Sequence, residues 1–104
     1  MDLVQLAIED QGDVVVARVT GELDLAGAPS TGEAIGEAVP TSARVLVVDF
    51  SGLEFIDSSG IAMLFNLARR LGSRRQELRV VAIGGGPISR VLEIVEFDLS
   101  LIHI

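Results

Sequence analysis

Four adjacent residues, Asp57-Ser58-Ser59-Gly60, stand where the short apolar run Phe55-Ile56 gives way to a longer one beginning at Ile61. An acid, two hydroxyls and a glycine at such a junction can do two kinds of chemistry. They can start a helix. A Ser side chain accepts a hydrogen bond from a free N–H two or three residues on, and an acid beside it suits the positive end of the helix dipole. On that reading Ser58 or Ser59 is the cap. They can also present a reactive hydroxyl. A hydrolase elbow needs Gly-x-Ser-x-Gly, and around Ser58 the first glycine is replaced by Ile56. The one histidine, His103, falls near the end of a predicted strand, so a Ser-His-Asp triad has little support.

Other candidate chemistry is thinner. Gly84-Gly85-Gly86-Pro87 makes a glycine-rich strand-to-helix turn, and such turns can hold an anion weakly. No Lys follows to make a phosphate loop, and the dinucleotide fingerprint is missing. Asp24 and Asp57 could neighbour each other, but no His or Cys accompanies them and no calcium-loop spacing appears, so neither a metal nor a cofactor is expected. The absence of cysteine from the 104 residues excludes disulfides and thiolate chemistry. It suits a reducing, cytoplasmic setting. The net charge of −7 argues against nucleic acid and anionic membrane surfaces as partners. The charge is uneven. Arg69, Arg70, Arg74, Arg75 and Arg79 crowd a stretch that holds only Glu77 as an acid, whereas the preceding half is acidic. Four Phe and no Trp or Tyr leave almost no stacking platform for bases.

The elements that must position these residues follow from periodicity. Residues 3–8 and the β-branched run 14–21 read as a hairpin around Gln11-Gly12-Asp13. Glu22 to Gly27 reads as a loop. Pro29-Ser30 opens a helix to about Ala38, with Ala34, Ile35 and Ala38 on one side and with Gly32 and Gly36 weakening it. Val45-Leu46-Val47-Val48-Asp49-Phe50 is a continuous apolar run, the pattern of a strand buried on both faces, or nearly so. After a turn at Ser51-Gly52, a helix runs from Ser58 or Ser59 to Leu71 and stops at Gly72. On its wheel Ile61, Leu64, Phe65, Ala68 and Leu71 form the core stripe. Met63 falls on the polar side with Ser59, Asn66 and Arg70, either as a partner contact or as a core-edge residue. A strand over 79–83, a helix over 88–96 and a strand over 99–104 complete the order β-β-α-β-α-β-α-β. The expectation is one α/β domain over residues 1–104, with a mixed sheet and right-handed crossovers. The N-terminus has neither the basic patch nor the apolar core of a secretory leader, and no stretch is apolar enough for membrane insertion.

Three segments in this order and spacing resemble a known family: Gly21-Glu22-Leu23-Asp24, then 45–53, then Phe55-Ile56-Asp57-Ser58-Ser59-Gly60-Ile61. Together they are similar to the STAS domain, and more narrowly to the bacterial anti-sigma factor antagonists, over nearly the whole chain. The resemblance implies a mixed sheet with helices on one face. It implies a non-enzymatic regulator of sigma-factor-dependent transcription, of the kind used in sporulation and stress responses. Ser58 then matches the serine phosphorylated by an anti-sigma factor that is also a serine kinase, and a serine phosphatase reverses it. Asp24 matches the acid beside that serine. Asp24, Leu25, Asp57, Ser59, Gly60 and Met63 form the expected partner surface. Within the family, the alternative is a scaffold or transporter-accessory module in which Ser58 is only a cap. Two departures stand out: many antagonists carry one more helix after the last strand, and the loop Leu25-Ala26-Gly27-Ala28-Pro29 is small and apolar. Leu25 there is either a buried anchor or a partner contact.

Overall fold

The β-branched run that begins at Val14 becomes the strand on which the rest of the sheet is built. The computed structural model describes residues 3–94 and 101–103. Its order is β1 (Val4–Asp10), β2 (Val14–Leu23), α1 (Ala28–Ala38), β3 (Val45–Asp49), β4 (Leu53–Ile56), α2 (Ser58–Gly72), β5 (Glu77–Ala82), α3 (Pro87–Ile94) and β6 (Leu101–His103). β1 and β2 pair antiparallel as the expected hairpin. From β2 onward the strands add in parallel on the same side, β2-β3-β5-β6. Right-handed crossovers that all advance in one direction place α1, α2 and α3 on a single face of the sheet.

Burial follows from that one-sided cover. Val15, Ala17 and Val19 on β2, Leu46 and Val48 on β3, and Leu78, Val80 and Ala82 on β5 are buried under the helices. Their alternates face the open side, where Val45, Val47 and Asp49 are only half-buried. β3 is thus fully buried on one face and half-buried on the other, where near-complete burial of both was expected. Its unbroken apolar run is not matched by a second layer, and the open side is finished instead with exposed ion pairs, Arg18 to Glu9 at 3.3 Å and Arg79 to Glu77 at 3.1 Å.

The sheet holds one strand more than periodicity indicated. β4 lies beyond the end of β3 and pairs with the last residues of β2, Leu23 with Ile56, after a register shift between Gly21 and Glu22. β2 thus runs on through Glu22-Leu23, where a loop was expected. Gly21 makes the change of partner possible: its φ is +89°, and a Cβ there would run into the Leu3 carbonyl.

Two helix details also depart from expectation. α2 ends at Gly72, as expected, but Ser73 follows as its cap and the left-handed residue is Arg75, with φ 60°, and not the glycine. The Arg75 N–H donates to the Gly72 carbonyl and the Gln76 N–H to the Leu71 carbonyl, which is the Schellman pattern with arginine in the usual glycine position. Gln76, buried just beyond, donates to the carbonyls of Pro40 and Ala43 at 2.9 Å each, tying this turn to the start of β3. On α1 the buried residues are Ala28, Thr31, Ile35 and Gly36, and Ala34 is exposed. The expected helix and strand near the C-terminus are met over 88–94 and Leu101–His103; residues 95–100 and 104 lie outside the described residues.

Candidate functional site

Parallel pairing of β2 with β4 brings two chain segments to the same end of the sheet. Leu23 sits opposite Ile56, so Asp24 and Asp57 are the next residues of neighbouring strands. The Asp57 N–H donates to the Leu23 carbonyl at 3.2 Å, which locks the junction. Both acids then leave their strands in different ways. Asp24 folds a local turn: its carboxylate accepts from the Ala26 N–H at 3.1 Å, and its carbonyl accepts from Gly27 and Ala28 as α1 begins. Leu25, at the tip of that turn, is 72% exposed, so it is a free surface residue and not a buried anchor.

Asp57 is the N-cap of α2, which corrects the assignment of that role to Ser58 or Ser59. Its backbone is extended (φ −113°, ψ −170°), and its Oδ1 accepts from the Ser59 N–H at 2.8 Å and the Gly60 N–H at 3.3 Å. A carboxylate takes this position well because it satisfies two orphan donors and lies at the positive end of the dipole. The Ile61 N–H is also taken, by the Asp57 carbonyl at 3.1 Å. With the cap supplied by Asp57, Ser58 becomes the first helical residue and its side chain is exposed. Ser59 is half-buried. Gly60 must be bare: a Cβ would lie 2.5 Å from Ile56 Cγ1 and 3.0 Å from the Leu23 carbonyl oxygen. Its role is to let the first turn of α2 rest against the ends of β2 and β4.

The α2 wheel is rotated relative to the expected one. Ile61, Leu64 and Leu71 are buried and Ala68 half-buried, but Phe65 is 45% exposed while Met63 is 5% exposed and Leu67 is buried. The reason is that α2 has two covered sides, one against the sheet and one against α1. Met63 packs on α1 at Gly32, where a Cβ would stand 2.6 Å from Met63 Cγ. Met63 is thus held in the interhelical seam, and only a group entering between the helices can touch it. The sequence carries a hint of this, because Gly32 and Gly36, one turn apart, share one face of α1 and open it to a close neighbour.

Between the helices lies a cleft of about 400 Å³ that sequence reasoning missed; Ser59, Met63 and Arg70 are among the residues lining it. Ser59, the chain neighbour of Ser58, is part of its lining. The Gly84–Gly86 turn after β5 closes with the Gly86 N–H on the Ile83 carbonyl at 3.1 Å. Among the described residues no cluster of three or more His, Asp or Glu could hold a metal ion, and no helix is long and apolar enough to cross a membrane.

These features have a known counterpart. The family described as "Mlab, STAS domain" matches residues 6–102. The chain belongs to the STAS domain family. Over 89 residues it is 32% identical to a protein of Mycobacterium tuberculosis named anti-sigma-F factor antagonist RsfB, spanning 86% of this chain and 70% of that one. A crystal structure of an anti-sigma factor antagonist from Mycobacterium paratuberculosis superposes with a TM-score of 0.81 at 33% identity, covering 94% of this chain and 84% of the other. SpoIIAA in its unphosphorylated form shares the fold, with a TM-score of 0.79 at 20% identity over 96% of this chain and 88% of that one. As a STAS domain, the chain carries its motif residues at one end of the sheet: Asp24 at the exit of β2 and Asp57-Ser58-Ser59-Gly60 at the start of α2.

Proposed function

We propose that this STAS domain is an anti-sigma factor antagonist switched at Ser58. Unphosphorylated, it binds an anti-sigma factor that is also a serine kinase and so frees the sigma factor; phosphorylated, it lets go. The observation that carries the reading is the exposed Ser58 at the first turn of α2, relieved of capping by Asp57. The similarity to RsfB supports it. In the writing step, Ser58 Oγ attacks the γ-phosphorus of ATP bound to the kinase, its proton goes to the kinase, and ADP leaves. A serine phosphatase returns the hydroxyl with water. The domain itself supplies no catalytic group; it is the substrate and the binding module.

The physics of the switch is local. A phosphate adds about 1.5 to 2 negative charges at neutral pH. They would join Asp57 and Asp24 on a surface that the partner must desolvate, and crowding like charge there is costly for binding. The dipole of α2 favours the added charge, so the fold itself tolerates it. Leu25 and Ser59 flank the serine and complete the contact surface.

The test is a titration of the organism's purified serine-kinase anti-sigma factors against wild type and Ser58→Asp. Wild type is expected to bind one of them, and Ser58→Asp to lose that binding while melting within about 0.5 kcal/mol of wild type, as exposed substitutions do. Ser58→Ala should bind but take up no phosphate from ATP. Equal affinity of Ser58→Asp and wild type would remove the switch and leave a scaffold with Ser58 as an ordinary helix residue.

A further inference from the structure

The α1–α2 cleft has a direction. Its floor is Ala28, Met63 and Leu67; Ser59 stands at the end nearest Ser58, and Arg70 lies at the far end, about 16 Å on along α2 at 1.5 Å per residue. Arg70 is placed unusually. An arginine in a last turn commonly serves the helix's own free carbonyls. Here its guanidinium instead reaches across to α1 and lies against Gly36, which has no side chain to displace it. Among the described residues no carboxylate forms an ion pair with it; the pairs belong to Arg18 and Arg79. Glu33 lines the facing wall, unpaired with Arg70.

The cleft is a trough. Pro29, Glu33, Ala62 and Asn66 along its lining are exposed, whereas a small-molecule site covers about 70–90% of its ligand. A trough fits the side of a polypeptide. Its length suits about five extended residues at 3.3 Å each. Its chemistry is apolar along the floor and cationic at one end, and at the other it joins the surface around Ser58.

Resting on the reading that an anti-sigma factor binds at Ser58, we propose that the same partner lays a short segment in this cleft, with apolar side chains over Met63 and Leu67 and an acid on Arg70. The contact at Ser58 decides whether the partner binds; the cleft decides which partner fits.

The experiment uses the kinase that the Ser58 titration identifies. Ala62→Phe fills the trough from an exposed position, and Arg70→Gln removes the cation while keeping a polar, hydrogen-bonding side chain. Each is expected to weaken binding of unphosphorylated protein tenfold or more with an unchanged melting curve, and Arg70→Gln is expected to flatten the salt dependence. Wild-type affinity for both variants, with Ser58→Asp still unable to bind, would overturn the cleft proposal and leave the switch standing. No binding by wild type to any kinase would overturn both. Sedimentation showing a dimer that Ala62→Phe dissolves, or native mass spectrometry showing a retained small molecule that it expels, would assign the cleft to a second copy or to a metabolite and overturn the proposal in favour of that occupant.

Discussion

Asp57 and Arg75 show how single residues at opposite ends of α2 carry opposite accounts. Asp57 is well suited to its place, since its carboxylate accepts two amide donors at the helix start. Asp57→Ala should cost about 1 kcal/mol, and at most about 2. For a domain of this size each kcal/mol is about 4–8 °C in Tm, which calorimetry reads directly; an unchanged Tm would mean that another group takes over the cap. Arg75 is poorly suited, because a left-handed backbone costs a side-chain-bearing residue about 1–2 kcal/mol. Arg75→Gly relieves that strain and gives back about 0.5–1 kcal/mol of it as chain entropy in the unfolded state. A net rise in Tm of a few degrees is expected, and a fall would show that the arginine side chain makes a stabilising contact that outweighs its backbone.

At the scale of elements, the seam between α1 and α2 depends on two glycines that behave differently. A Cβ at Gly32 meets Met63 at Cγ, close to the backbone and hemmed in by α1, so Gly32→Val should cost about 1–3 kcal/mol by overpacking. A Cβ at Gly36 meets the guanidinium of Arg70, the far end of a flexible chain that can swing into solvent. Gly36→Ala should therefore be neutral, or gain up to about 1 kcal/mol of helix propensity. Denaturant unfolding of the two variants checks the contrast, and equal losses would mean that the seam does not depend on Met63. The seam also explains what the sequence could and could not tell. Strands, helices and the Asp57-Ser58-Ser59-Gly60 junction were legible, because alternation, apolar runs and turn residues act locally. The second covered side of α2 was not, since a wheel calculated for one buried face assigns Phe65 to the core and Met63 to the surface. β4 was missed because its four residues are defined by pairing with β2 and by no period of their own. The cap went to a serine because Asp and Ser are nearly equivalent at that position, and only the extended backbone of Asp57 separates them.

Taken whole, the molecule has a layered stability. β2, β3 and β5 lie between neighbours and under the helices, whereas β1 forms an edge whose outer residues, from Ala7 to Asp10, are exposed. Amide exchange should be slowest in β2, β3 and β5 and faster by orders of magnitude in β1, because edge strands open without global unfolding. Equal protection in β1 and β3 would mean that the open side of the sheet is covered in solution. Phosphorylation at Ser58 should leave this pattern unchanged, as the strands run away from that end. One consequence of the Asp57 cap concerns concealment. With the amides of Ser59, Gly60 and Ile61 already held by Asp57, a phosphate on Ser58 finds no ready-made nest in its own domain and must stand out in water. On the proposed reading, a mark that the fold cannot hide would be open to whichever enzyme erases it, and the lifetime of the signal would then be set by the eraser and not by the protein that carries it.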